Sequence, residues 1–369
     1  MTVFGTRPDA IKMAPVVLEL QRFSDKVNVV VAVTGQHREM LQQVLDVFHI
    51  RPQYNLDIMS PKQSLAQITT RSLEGLEQIM HTEHPDLVLA QGDTTTTFAA
   101  SLAAFYNKVT VGHVEAGLRT DNKYDPFPEE INRRLTTILA DLHFAPTQAA
   151  KKNLLAEGVS SSKIFVTGNT VIDALLSVAG RTETPENLAL SQICPDGRRM
   201  ILVTAHRREN WGEPMERICA AIKSLVEAFP DTEVVFAVHK NPIVRDTVFG
   251  ELGKLDRVHL IEPPDYVPFV HLLKKAHLIL TDSGGVQEEA PALGKPVIVM
   301  RKTTERPEGV EAGTAILAGT ETKDVFRAAA ELLTDTDAYN KMAKAVNPYG
   351  DGHASVRIRE VLFKHFGLD

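Results

Sequence analysis

Cysteine is almost missing from the 369 residues: Cys194 and Cys219 are the two, with no CxxC spacing. That excludes a disulfide framework and a cysteine-based zinc site. Positive charge is in deficit, 40 Lys and Arg against 47 Asp and Glu, for a net −7. With no basic excess to neutralise a phosphate backbone, nucleic acid is not expected as a partner, although a local basic pocket for a small anion is compatible with this balance. No apolar run approaches the roughly 18 residues that a membrane helix needs, so no membrane association is expected. The opening MTVFGTRP lacks the basic and apolar regions of a signal peptide. The histidines lack HExxH spacing, no GxGxxG follows a strand, and neither GxxxxGKS/T nor GxSxG occurs. Zinc, a nicotinamide dinucleotide, a P-loop nucleotide and a nucleophile elbow therefore have no signature here, and neither metal nor cofactor is expected. What remains is a composition of ordinary globular type, 43% hydrophobic and 24% charged. At roughly 150 residues per domain the length suggests two domains, expected to be soluble and cytoplasmic.

Short β-branched runs alternate with longer segments of helical spacing. VNVVVAV (27–33), PDLVLA (85–90), KVTVGHV (108–114), DLHFAP (141–146) and KIFVTG (163–168) read as strands buried on both faces. After the first, short strand, Ala10, Ala14, Val17 and Leu18 have helical spacing. This alternation predicts right-handed βαβ units and a parallel sheet. Residues 181–199 are polar and proline-bearing, with no strand of their own. A second series follows: MILVTA (200–205), TEVVFAV (232–238), VHLIE (258–262), HLILTD (277–282) and KPVIVM (295–300). After the turn-rich NPYGDG, ASVRIREVLFKHF (354–366) reads as an amphipathic helix. The strand before Gly5 has four residues, short for a central strand; either the true chain begins earlier or the first strand is an edge.

In open parallel sheets ligands bind outside the carboxyl ends of the strands. Arg7 and Lys12 follow the first strand and could hold an anion or form a solvated pair. Asp93 follows PDLVLA, where it could cap the threonine-rich helix beside it. Glu115 follows KVTVGHV without an obvious packing role, and Glu129 and Glu130 open a helix, where acids favour the positive dipole end. Three of these carboxylates, Asp93, Glu115 and Glu129, at one rim would form a general acid/base set. His206 and His239 end strands of the second series, positions that also suit structural histidines. In TDSGGVQEE a strand runs into two glycines and a helix, leaving N–H groups at a positive helix start, suited to a diphosphate; a plain β–α turn also uses glycines.

FGTRPDAIKMAP, QGDTTTT, HVEAGLRT, PFPEEINRR, AHRREN, DSGGVQEEAPALGKP and TTERPEGVEAGT occur in this order. Together they resemble the non-hydrolysing UDP-N-acetylglucosamine 2-epimerases of bacteria, from Phe4 to the NPYGDG turn. The resemblance implies an α/β fold of two Rossmann-like parallel-sheet domains facing across a cleft, as in the GT-B glycosyltransferases. It gives an N-terminal domain over 1–170, a UDP-binding domain over 171–353 and a C-terminal helix over 354–369 packing back on the first domain. It implies interconversion of UDP-GlcNAc and UDP-ManNAc by elimination of UDP to 2-acetamidoglucal and re-addition, serving bacterial surface polysaccharides. Asp93, Glu115 and Glu129 are then the acid/base carboxylates, and His206 stabilises the departing UDP. Ser283, Gly284 and Gly285 bind the diphosphate, Glu289 the ribose hydroxyls, and Arg7, Lys12 and Arg306 the sugar and phosphates. Phe269 and the carbonyl of Pro264 read the uracil. Gln43, Arg207 and His239 correspond to a second, activating UDP-GlcNAc site, and a homodimer is implied. Asp9 stands where Glu is usual, and Ala205 precedes the histidine; neither is expected to touch the chemistry. A GT-B glycosyltransferase and a hydrolysing 2-epimerase are the alternatives. The carboxylate trio distinguishes the first of these, since a transferase needs an acceptor cleft in its place.

Overall fold

The computed structural model describes residues 1–35, 38–60, 62–181 and 197–368. Most of the polar stretch 181–199, including Cys194, lies outside the described residues. The chain divides into two compact units, Met1–Ala174 with Tyr349–Asp369, and Leu175–Pro348.

The first unit is built on seven strands: β1 (Thr2–Phe4), β2 (Val31–Val33), β3 (Tyr54–Asn55), β4 (Leu87–Gln91), β5 (Thr110–Val114), β6 (Leu142–Ala145) and β7 (Ile164–Val166). Their order is β3-β2-β1-β4-β5-β6-β7, and every pairing is parallel. The second unit has six: β8 (Arg199–Ala205), β9 (Thr232–Val238), β10 (Val258–Ile261), β11 (Leu278–Thr281), β12 (Val297–Val299) and β13 (Ala315–Leu317). These run in parallel in the order β10-β9-β8-β11-β12-β13. The apolar runs of the sequence became strands because both faces of each sheet are covered. All seven residues of β9 are buried, and Val203, Phe236, Leu280 and Ile298 share one core. In the first unit the helix Thr95–Tyr106 turns Ala99, Ala100, Ala103 and Ala104 inward, fully buried. Their small side chains let the helix lie close against the sheet.

Three strand expectations need correction. β1 is not an edge: it lies between β2 and β4, pairing Thr2 with Val31 and with Leu89. Strand position is a property of sheet order, which strand length does not reveal. Of 27–33 the part 31–33 is strand, because it is the part that β1 pairs. β3 and β13 escaped notice; they have two and three residues, too short to stand out, and both carry partly exposed positions.

The helices start where local chemistry directs. Thr6 and Asp9 form a reciprocal capping box at the helix Arg7–Gln21, with Pro8 in its first turn. The last helix, Ala354–Phe366, has the extent read from its pattern, but its cap comes from far away in sequence. Asp173 accepts the Ala354 N–H at 3.2 Å, the Ser355 N–H at 2.8 Å and the Ser355 hydroxyl at 2.6 Å. Arg359 donates to Glu19 at 2.8 Å, fastening the same helix to Arg7–Gln21 within the first unit.

Each sheet has one point where the strand order reverses: between β1 and β4, and between β8 and β11. Loops leave such a point in opposite directions and open a crevice at the carboxyl ends. Those four strand ends carry most of the candidate residues.

Candidate functional site

In the first unit, Asp93 and Glu115 follow the adjacent strands β4 and β5. Gly92 turns the chain out of β4 with φ +73°, and a Cβ there would come within 3.4 Å of Glu115 Oε2. Glu115 itself sits at φ +66°, a conformation that non-glycine residues seldom adopt and that surrounding structure must hold. It is held by three donors: Lys12 Nζ at 2.6 Å, Gln91 Nε2 at 2.7 Å and Asn169 Nδ2 at 2.9 Å. Lys12 is therefore not a solvated cation; it is ion-paired with a carboxylate that is 6% exposed.

Asp93 does not cap the threonine-rich helix. Thr94 does, accepting the Thr97 N–H. The Asp93 carboxylate instead receives Arg133 through Nε at 2.9 Å and Nη2 at 2.7 Å, and its carbonyl receives Asn132 at 2.9 Å. Both donors stand on the helix Glu129–Leu139, so Glu129, one turn before Arg133, belongs to the same rim. Among the described residues Glu129 makes no side-chain hydrogen bond or ion pair, and neither does the half-buried Arg7. Glu130 is fully buried behind them and receives Arg133, Arg134 and the Thr120 N–H. Arg133 thus bridges Asp93 and Glu130. Sequence reasoning passed over it, although it stands four positions after Glu129 within PFPEEINRR.

Two buried groups support this rim. His113 Nε2 lies 2.7 Å from the Gly92 carbonyl. Burial pushes its pKa down to about 4, so the imidazole is neutral and donates, pinning the turn before Asp93. Asp9 stands nearer the chemistry than expected: its carboxyl oxygen accepts the Thr94 hydroxyl at 3.3 Å. Burial pushes the Asp9 pKa up to about 7, against the Thr6 hydrogen bonds and with the Asp93 charge adding to the rise.

In the second unit, His206 and Arg207 follow β8, and Asp282-Ser283-Gly284 follows the neighbouring β11. Asp282 has no exposed surface and organises this crevice. It accepts the His206 N–H at 2.9 Å, the Arg207 N–H at 2.9 Å and Asn210 Nδ2 at 2.9 Å, and it faces His206 Nδ1 at 3.2 Å. Burial lowers the His206 pKa, partly offset by the Asp282 charge; Nδ1 faces that carboxylate, and Nε2 is the opposite end of the ring. His239, at the end of β9, stacks on that ring with centroids 6.0 Å apart.

Ser283 precedes the helix Gly284–Ala292 at its N-cap position, yet its hydroxyl makes no capping bond. The first N–H groups of a helix have no carbonyl partner, so hydroxyl and amides together form an anion site. Two guanidinium groups flank it: a Cβ on Gly284 would lie 3.7 Å from Arg207 Nη2 and 3.8 Å from Arg306 Cζ. Arg306 is held by Glu288. Glu289 is half-buried on the same helix, one turn on, with Oε1 3.6 Å from the Cβ position of Gly285. Pro264 and Phe269 are half-buried beyond β10, two strands from β8, Phe269 within the helix Tyr266–Lys275. The structure thus gathers His206, Arg207, Ser283, Gly284, Gly285 and Arg306 at one turn. Gln43 is an exposed residue of the first unit, on the helix Arg38–Val47. Asp282 and Asn210 were missed as organisers, although both lie inside the quoted motifs.

A family model described as UDP-N-acetylglucosamine 2-epimerase matches residues 19–363. The Bacillus subtilis (strain 168) protein named UDP-N-acetylglucosamine 2-epimerase is 58% identical over 367 residues, covering 100% of this chain and 95% of its own. The solved UDP-GlcNAc 2-epimerase of Neisseria meningitidis, bound to UDP-GlcNAc, superposes with a TM-score of 0.88 at 52% identity, covering 98% and 99% of the two chains. An Anabaena protein solved with UDP and glucose shares the fold alone, at 17% identity and a TM-score of 0.64, covering 98% of both chains.

Proposed function

The chain belongs to the UDP-N-acetylglucosamine 2-epimerase family and is an isomerase, and from that premise we propose that it interconverts UDP-GlcNAc and UDP-ManNAc by eliminating and re-adding UDP. The C2 proton is not next to a carbonyl, so its direct removal is very costly. Cleavage of the C1–O bond to the departing UDP builds positive character at C1 and acidifies C2. A carboxylate takes the C2 proton, the C–H electrons form the C1=C2 bond of 2-acetamidoglucal, and UDP leaves with the electrons of the C1–O bond. In the return step a UDP oxygen bonds to C1 while C2 receives a proton on its other face.

The observation that carries this reading is the carboxylate rim: Asp93 and Glu115 at adjacent strand ends, each gripped by a cation, beside Glu129, which has no ion-pair partner among the described residues. A proton that leaves one face and returns on the other needs more than one such group. In the second unit the Ser283–Gly285 turn with Arg207 and Arg306 suits the diphosphate, and His206, once protonated and paired with Asp282 through Nδ1, can steady the departing UDP by donating from Nε2. Arg7 and Lys12 are assigned to the sugar and phosphates, Glu289 to the ribose, and Phe269 with Pro264 to the uracil. The resemblance adds a place in the cytoplasm and a product used for bacterial surface polysaccharide. It also assigns Gln43, Arg207 and His239 to a second UDP-GlcNAc; Arg207 in addition flanks the Gly284 turn.

The deciding experiment follows C2 by NMR with UDP-GlcNAc in deuterated water. Solvent deuterium at C2 of both epimers, with the UDP linkage retained, is the expected result. Unlabelled substrate would overturn the elimination. Free N-acetylmannosamine as main product would point to a hydrolysing enzyme, and transfer of the sugar to an acceptor to a glycosyltransferase.

The implied homodimer has a matching surface in the first unit. Ile131, Leu135 and Ile138 recur at helical spacing on Glu129–Leu139 and are exposed, Ile138 by 78%, and Phe105 is exposed by 58% on the adjacent helix Thr95–Tyr106. A face this apolar suits a two-fold contact with a second copy. Leu135→Lys should convert a dimer to a monomer in sedimentation; an unchanged mass would remove this face from the contact.

A further inference from the structure

Arg301 is 6% exposed, too buried to reach a ligand laid over the Gly284 turn. It nevertheless connects both segments that carry arginines to that turn. One edge of its guanidinium grips Glu209, with Nε 2.6 Å from Oε1 and Nη2 3.3 Å from Oε2, and the remaining Nη1 donates to Glu305. Glu209 lies two positions after Arg207, in the turn Arg208–Asn210 whose Asn210 is fastened to Asp282 at 2.9 Å and to the Met300 carbonyl at 3.1 Å. Glu305 immediately precedes Arg306.

The position of Glu305 is the informative part. Its Oε1 stands 3.7 Å from Arg207 Nη2, beyond hydrogen-bond distance, while its Oε2 is taken by Arg301. Burial works against the Glu305 charge, but the Arg301 hydrogen bond, a backbone hydrogen bond and the nearby Arg207 and Arg301 charges together outweigh it and hold the carboxyl below the usual carboxylate range. Glu305 is therefore a charged carboxylate within easy reach of the cation that the anion site needs. Left alone it would close on Arg207 and compete with any diphosphate. Arg207 Nε is buried with no hydrogen-bond partner among the described residues.

Resting on the diphosphate reading of the Gly284 turn, we propose that Arg301 is a positioning residue: it holds Glu305 away from Arg207 and so keeps that guanidinium available to the UDP diphosphate. Two carboxylates on two edges of one planar group require arginine; a lysine ammonium supplies the charge but not the fork. The effect falls on binding, because Arg301 and its partners belong to the second unit, whereas the proton-moving carboxylates belong to the first.

The test measures UDP affinity by calorimetry, with KM and kcat for UDP-GlcNAc alongside. Arg301→Met should weaken UDP by about tenfold, the scale of one charge-assisted contact, and raise KM while kcat stays within about threefold. The double variant R301M/E305Q removes the competing charge, so its affinity should return to within about threefold of wild type. A merely structural role would leave the double variant as weak as the single one, and that result would overturn the proposal. So would an affinity for R301M within about twofold of wild type. Should R301M not fold, R301K and R301K/E305Q make the same comparison, with a smaller loss and the same rescue. Failure of the wild-type protein to bind UDP would instead sink the diphosphate reading, and this inference with it.

Discussion

The two units carry the same kind of parallel sheet with one reversal in strand order, and they use charge at that reversal in opposite ways. In the first, cations serve carboxylates: Lys12 grips Glu115 and Arg133 grips Asp93. In the second, carboxylates serve cations and amides: Asp282 orders the His206–Arg207 backbone, Glu288 holds Arg306, and Glu305 is itself restrained beside Arg207. The groups left facing outward therefore differ in sign. Acids suited to moving a proton stand at one crevice, and guanidinium and N–H groups suited to holding a diphosphate stand at the other. Fold alone does not choose between these tasks; the chemistry placed at the strand ends does.

The division can be broken most decisively at Asp93. Asp93→Asn should lower turnover by ~100-fold or more, the usual scale for losing a general acid or base, with UDP affinity within about twofold. A UDP affinity that fell together with turnover would show that Asp93 serves nucleotide binding as well as proton transfer. The converse substitution lies in the second unit. Gly284→Ala meets no atom closer than 3.7 Å and needs no unusual φ, so the protein should fold and lose no thermal stability. Its methyl occupies the approach to the helix N–H groups, and KM should rise about tenfold, the size of a lost charge-assisted contact, with little change in kcat. An unchanged KM would remove this turn from the diphosphate site.

A smaller effect concerns the ground beneath the acidic rim. The Asp9 pKa is raised from 3.8 to about 7, so protonated Asp9 contributes stability that is fully present below pH 3.8 and is lost as pH rises through about 7. Asparagine does not titrate. Asp9→Asn should therefore gain on wild type between pH 5 and pH 8, by about 1 kcal/mol or more in urea denaturation. A difference independent of pH would mean that Asp9 is not held protonated by burial.

Much of this architecture was legible because it depends on neighbours in sequence. The runs at 85–90, 108–114 and 232–238 announce strands, the spacing of Ala10, Ala14, Val17 and Leu18 announces the first helix, and 354–366 announces the last helix. The glycines after β11 could be assigned to an anion because strand, turn and helix adjoin in the chain. Where partners are distant, reading stopped. Asp93 looked like a helix cap because its neighbours are threonines; the group that holds it, Arg133, is 40 positions on. Lys12 looked solvated because Glu115 is 103 positions away. Arg301 carries no signal at all, since Glu209 stands 92 positions before it.

Amino-acid order by itself determined the alternation of strand and helix, the two-sheet architecture and, through motifs resembling one epimerase family, which side chains sit at strand ends. These follow from local propensity and periodicity, which a few consecutive residues settle. Tertiary structure alone decided that β1 is central, that Lys12 and Arg133 each hold an acid, and that Arg301 joins two glutamates. Such pairings arise when strands from separate parts of the chain become neighbours, and strand order is set by how whole βαβ units pack, which no short stretch of sequence records.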